Sequence, residues 1–218
     1  MRKFAVLTVL TAATACVFAC GCAHSTDYSE YISEMRYNIY VYEDENTQIK
    51  LYKSKKEAPF VADGIKGKVS ELTEIYFKTS GEPETVTLSS SSFTGGEMSY
   101  ITVRECWYLS FGGETTQDGD IDITINADGE EKNYTLSSVV NEGIMSCESA
   151  LKCVEEHDAG LFEELTENGY FNGEIFIRLL HDEKCYYYVG ICSREGKINS
   201  YLVDGESGRI IAEREHSV

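Results

Sequence analysis

The chain has 218 residues and a formal net charge of −18 at pH 7, from 37 acidic and 19 basic side chains. So acidic a surface repels phosphate backbones and anionic lipid alike, which excludes nucleic acid as a partner and leaves any membrane attachment to a tether. The length suits one large or two small domains.

Arg2 and Lys3 precede an apolar run from Phe4 to Ala19, which closes on Val17-Phe18-Ala19-Cys20 with Gly21-Cys22 behind. A positive start, an apolar middle and a small-residue exit make a secretory signal over residues 1–19. With a cysteine at the exit, the segment resembles a bacterial lipobox, which implies diacylglycerol on the thiol of Cys20. Cys22, preceded by Gly21, is the alternative attachment point, and Cys16 leaves too short an apolar core. The run falls short of the roughly 20 residues that span a bilayer, whereas two or three acyl chains hold a protein without a span. The expected address is therefore extracytoplasmic, at the bacterial cell envelope, with residues 20–35 as a polar tether.

Residues 36–142 alternate with a period of two. Tyr37, Ile39 and Val41 begin the pattern, and Ile49 with Leu51, Ile75 with Phe77, Val86 with Leu88 and Ile101 with Val103 continue it. Trp107, Leu109 and Phe111 follow, then Ile121, Ile123 and Ile125, and Tyr134, Leu136 and Val139 close the series. Turn signals such as Gly81-Glu82-Pro83, Gly95-Gly96 and Asp128-Gly129 separate the runs. About eight short strands at even spacing predict an antiparallel β-sandwich-like region or an open barrel.

The period changes at Gly143. Ser146 is a helix cap, and Cys147, Ala150, Leu151 and Val154 form a helical stripe. Leu161, Phe162 and Leu165 extend it past a break expected at Gly160, with Gly169 as the stop. Alternation returns in Ile175-Ile177-Leu179, in Tyr187-Val189-Ile191 and around Ile198 and Leu202, with a last short strand near Ile210 and Ile211. Residues 143–218 therefore predict a helix packed on a small antiparallel sheet, and the whole chain is mainly β with an α+β end.

The stretch Tyr186 to Ile211, with Val203-Asp204-Gly205-Glu206-Ser207-Gly208-Arg209-Ile210 inside it, resembles the end of a PepSY domain. The resemblance covers about residues 143–213. Read as residues, the motif is a turn: Asp204 accepts backbone N–H groups, Gly208 takes φ > 0 and Ile210 returns to the core. PepSY domains occur in protease propeptides and in envelope proteins, so the resemblance implies a peptidase-modulating or chaperone-like role. It carries over no catalytic residues.

Residue clusters with chemical potential are few. Cys153 and His157 are four residues apart on the predicted helix, the spacing of a nucleophile with its base or of two metal ligands, but a buried structural thiol fits as well. Cys106, Cys147, Cys153, Cys185 and Cys192 are an odd set for an exported chain, so any pairing stays open: Cys153 to Cys185 or Cys192, or Cys147 to Cys185. Asp118, Asp120 and Asp122 imitate the start of a calcium loop, yet Ile123 and Gly129 stand at its sixth and twelfth positions, and outward acids on a strand explain them better. Tyr40, Tyr42, Tyr76, Tyr108 and Tyr186 to Tyr188 cluster on strands and would suit sugar or peptide stacking if exposed.

No catalytic, cofactor or metal site is expected. The leading expectation is a non-enzymatic envelope lipoprotein that binds an exported protein or peptidase. A glycan- or solute-binding accessory lipoprotein is the alternative. A Cys-dependent enzyme or metalloprotein is the remote one.

Overall fold

A computed structural model describes residues 26–113 and 119–217. Cys16, Cys20, Cys22 and Asp118 lie outside the described residues, and so does the signal segment. The elements in chain order are β1 (Ile32–Glu43), β2 (Thr47–Glu57), β3 (Val69–Thr79), β4 (Val86–Ser90), β5 (Gly96–Glu97), β6 (Ser99–Ile101), β7 (Cys106–Gly112), β8 (Ile121–Ala127) and β9 (Glu130–Ser138). Helices α1 (Cys147–His157) and α2 (Ala159–Leu165) follow. The chain then forms β10 (Thr166–Glu167), β11 (Tyr170–Phe171), β12 (Gly173–His181), β13 (Cys185–Ser193), β14 (Lys197–Asp204) and β15 (Ile210–Ser217). The fold is mostly β, as the alternation predicts.

Strands β1 to β9 curl into a nearly closed sheet in the order β6-β7-β3-β2-β1-β9-β8-β4-β5. Its two ends meet in one stretch of chain. Met98, between β5 and β6, is buried, and its N–H donates to the Val86 carbonyl at 2.8 Å. The inward residues are those of the period-two pattern: Ile49, Leu51, Ile75, Val86, Ile121 and Leu136 are fully buried. Each such Ile or Leu contributes on the order of 2 kcal/mol by leaving water, and β-branched residues suit the pleated wall.

The same sheet continues sideways from β1 as β12-β13-β14-β15, with β1 and β12 parallel and the other pairs antiparallel. β1 serves both halves. Its first part, Ile32 to Arg36, pairs with β12, and its later part pairs with β9 at Tyr40 and Val41. Ile39 points into the core beneath the helices, while the adjacent Tyr40 points into the curled sheet. A bulge between Arg36 and Asn38 accompanies this change. The polar tether expected over residues 20–35 therefore ends earlier. Tyr28–Tyr31 form a 3₁₀ turn, and Ile32, Ser33 and Glu34 are buried strand residues. The polar Ser33 and Glu34 hid this strand, because their partners lie more than a hundred residues away.

Helices α1 and α2 cover one face of the second half. Ser146 caps α1 by accepting the Ser149 N–H at 3.1 Å, and Cys147, Ala150, Leu151 and Val154 are buried, as predicted. The break falls at Asp158 rather than Gly160. Asp158 caps α2 by accepting the Leu161 N–H at 3.2 Å, and Gly160 lies inside that helix. Gly169 does not stop a helix. Asn168 and Gly169, at φ 54° and 81°, form the tight turn between β10 and β11, the Asn-Gly hairpin signature.

Candidate binding face

Strand registry places the second, outward face of this sheet in one surface that crosses from β7 to β15. Tyr108 stands opposite Tyr76, Tyr76 opposite Lys50 and Tyr52 opposite Glu74. Arg36 stands between Ser54 and Arg178, and Arg178 is opposite Tyr188. Tyr76 and Tyr108 pack against neither large core, whereas Tyr52 also touches the core beneath the helices and Tyr188 joins a small cluster with Phe176. Tyr76 and Tyr108 have ring centroids 5.0 Å apart, and Tyr52 meets Tyr76 edge-on at 5.5 Å. The Arg36 guanidinium sits 4.4 Å from the Tyr52 ring centre, and Arg104 sits 5.4 Å from that of Tyr76, both cation–π distances.

Both phenols of the first pair donate to Glu74 Oε1, Tyr108 at 3.0 Å and Tyr76 at 3.3 Å. Burial, helped by the Glu74 charge, pushes the Tyr76 hydroxyl up to about 12, and burial raises Tyr52 and Tyr108 as well. These tyrosines are therefore neutral donors at any physiological pH. Both hydrogen bonds fall on Oε1 of Glu74, and none of the cations on this face pairs with it within 4 Å among the described residues.

At the β7 end this face holds a cleft of about 450 Å³, lined by Gln48, Lys50, Tyr52, Tyr76, Lys78 and the Val103-Arg104-Glu105-Cys106 stretch, so three cations and one acid, Glu105, border it. Among the described residues no carboxylate lies within 4 Å of the Lys50, Lys78 or Arg104 charge. Arg36 Nε is buried with no hydrogen-bond partner. Glu105, next to Arg104, has φ 50°, a left-handed conformation that is strained for a residue with a side chain. Tyrosines flanked by cations that form no ion pair among the described residues are equipped to hold an anionic group that also offers an apolar or ring surface.

At the other end the same face is closed. Phe60, from the segment between β2 and β3, lies edge-on to Phe176 at 6.1 Å, with Lys56 Nζ 4.6 Å and the Arg178 guanidinium 5.7 Å from its ring centre. The cations here are paired. Glu34, only 2% exposed, receives Arg178 at 2.6 Å and Lys56 at 3.8 Å.

Beneath that segment lies an acid pair. Glu174 is fully buried, and neither of its carboxylate oxygens has a hydrogen-bond partner. Loss of solvent, with the charge of Glu57 next, pushes its carboxyl up to about 7. Glu57 holds the segment by accepting the N–H groups of Gly67 and, at 3.4 Å, Val61. Gly64 packs so closely on the Arg194 backbone that a Cβ would lie 2.4 Å from its nitrogen.

The predicted clusters separate. His157 Nε2 pairs with Glu213 at 3.1 Å, and Cys153 Sγ packs against Gly208, so neither serves the other. Cys106, Cys147, Cys153, Cys185 and Cys192 are all free thiols. Cys147 and Cys185 both flank Tyr187 without bonding, and burial raises both thiols. Asp122 accepts the Thr135 hydroxyl at 2.6 Å, and no metal-ligating group of three occurs among the described residues. Of the predicted tyrosines, Tyr76, Tyr108, Tyr186 and Tyr188 reach the outward face, whereas Tyr40 and Tyr187 are buried inside. The turn at Asp204 has the predicted form. Asp204 accepts the Ser207 N–H at 2.8 Å and the Glu206 N–H at 3.2 Å, and Gly208 has φ 72°.

The sequence analysis missed Tyr52, Lys50, Lys78 and Arg104. They lie on different strands, and only the registry brings them together. Among the described residues no helix is long and apolar enough to cross a membrane. Compared with known proteins, the chain matches no family model, no curated protein and no solved structure.

Proposed function

We propose that this chain is an envelope-anchored lipoprotein, held through Cys20 or Cys22, that works as a non-enzymatic protein-binding module. The partner is an exported protein that offers an acidic segment to the cleft of Lys50, Lys78 and Arg104. Charge segregation carries the reading: in a chain of net charge −18, three cations with no carboxylate within 4 Å among the described residues share one tyrosine-lined cleft with a single lining acid, Glu105. Tyr and Arg are also the residue types that dominate binding energy at protein interfaces. The PepSY-like resemblance around Val203 to Ile210 belongs to this proposal, and it favours a peptidase as the partner class.

An anionic glycan is the second reading. The paired rings of Tyr76 and Tyr108 favour it, since a sugar face stacks on such a surface.

Capture from envelope extract on the parent chain and on the Lys50→Glu/Arg104→Glu variant, read by mass spectrometry, tests the proposal. An exported protein held by the parent and lost by the variant is the expected result. Equal capture by both contradicts it. Release of the captured material by polyuronate but not by polyglutamate favours the glycan reading.

A further inference from the structure

Among the described residues the large apolar side chains that stand most in water are Val61, Ile65, Tyr100, Val103, Tyr170 and Ile211, and the first two gather with Tyr170 at one end of the molecule. Val61 is 50% exposed, Ile65 58% and Tyr170 72%. All three sit on the two loops that hold the first described stretch of chain. Thr26 Oγ1 donates to the Gly169 carbonyl at 3.4 Å, at the tip of the β10–β11 hairpin beside Tyr170. Lys66 Nζ donates to the Glu30 carbonyl at 2.5 Å, from the loop between β2 and β3 that carries Val61 and Ile65. Tyr28 fixes the chain between them, edge-on to Phe162 and Phe171 at 4.7 and 5.3 Å.

The chain upstream of Thr26 is short. Cys20 lies six residues away and Cys22 four, so even fully extended it reaches about 20 Å. If either thiol carries lipid, the loops around Thr26 stay next to the bilayer. Their chemistry suits that place. The segment 58–68 carries Lys66 and Lys68 against the acid Asp63, while the adjoining stretch and hairpin carry the exposed acids Asp27, Glu30 and Glu167, so the apolar tips rather than net charge fit this end to a bilayer. Apolar tips, an exposed tyrosine and flanking lysines are what headgroup-level contact requires. The cleft of Lys50, Lys78 and Arg104 lies at the opposite end of β2 and β3, about 30 Å along the strands.

We propose that Val61, Ile65 and Tyr170, with Lys66 and Lys68, form a membrane-contact end that rests in the headgroup layer and points the cation-lined cleft away from the bilayer. The proposal rests on the lipid-anchor reading of Cys20 or Cys22. It adds a defined orientation to that reading, which a tether alone does not supply.

The test uses the full-length chain, exported and processed in a lipoprotein-maturing bacterial host, in vesicles of phosphatidylcholine with a minority of phosphatidylglycerol. An environment-sensitive fluorophore is attached in Ile65→Cys, Tyr170→Cys and Val103→Cys, and the parent chain is carried through the same labelling as background. These positions are exposed, so the substitutions leave the cores untouched. Lipids brominated on the acyl chain should quench the labels at 65 and 170 several-fold more than the label at 103. Equal quenching at all three positions on protein that floats with the vesicles overturns the contact while leaving the anchor in place. Protein that does not float with the vesicles overturns the anchor reading and the contact together.

Discussion

The two halves of the sheet solve the same problem differently. The curled half, β1 to β9, makes its core by bringing two walls of strands together, so its outward face needs no cover and stays wet. The flat half, β12 to β15, buries one face under α1 and α2 and much of the other under the segment that carries Phe60. The cations follow the same division. Where the face is covered, Lys56 and Arg178 share the buried Glu34; where it is bare, Lys50, Lys78 and Arg104 have no such partner among the described residues. Cover and charge pairing go together because a buried charge needs a partner and a solvated one does not. Recognition is therefore expected on the bare half.

Core truncation tests whether the halves are one unit and has the largest expected effect. Ile123→Ala in the curled half and Ile175→Ala in the flat half should each cost about 3 kcal/mol. Because β1 is shared, each should shift a single transition seen alike by far-ultraviolet circular dichroism and by Trp107 fluorescence. Two separated transitions would show that the halves unfold independently.

The contrast between cations comes next. Arg178→Met leaves Glu34 buried with only Lys56 nearby and should cost about 3 kcal/mol in chemical denaturation. Arg104→Met at the exposed cleft should change stability by less than about 0.5 kcal/mol. Similar costs would erase the distinction between the covered and bare halves.

Glu174 sharpens the comparison through pH. Its carboxyl is raised from 4.5 to about 7, so between those values the folded chain keeps a proton that the unfolded chain has released. Stability from this position is full below about 4.5 and is lost as pH rises through about 7. Glu174→Gln should therefore gain on the order of 2 kcal/mol at alkaline pH and nothing at low pH. A gain that is the same at both ends of the range would mean that ionisation is not its cause. A smaller loss is expected at the α1 cap, where Ser146→Ala should cost about 1 kcal/mol by thermal denaturation.

Much of this was legible residue by residue. Ile121, Ile123 and Ile125 read as a half-buried strand because one wall of the core needs only local alternation. Ser146 and Asp204 read correctly because capping and turn chemistry are local too. β1 was misread because its two faces serve different cores: Ile39 and Tyr40 are both buried, and the bulge after Arg36 breaks the period. Asp158 displaced Gly160 as the helix break because a side-chain cap on the next helix outweighs a glycine. The candidate cleft was the least legible part. Lys50, Lys78 and Arg104 are unremarkable in sequence, and only the pairing of β2 with β3 and β3 with β7 brings them to one place.

The most direct test of the anion-binding cleft is calorimetric titration of the full chain with a polyglutamate peptide. Binding should weaken at least tenfold in Lys50→Glu/Arg104→Glu, fade with added salt, and stay unchanged in Lys132→Glu, a control on an exposed lysine outside the cleft. Equal affinity in the parent chain and the cleft variant, or no binding to the parent at low salt, would contradict the account.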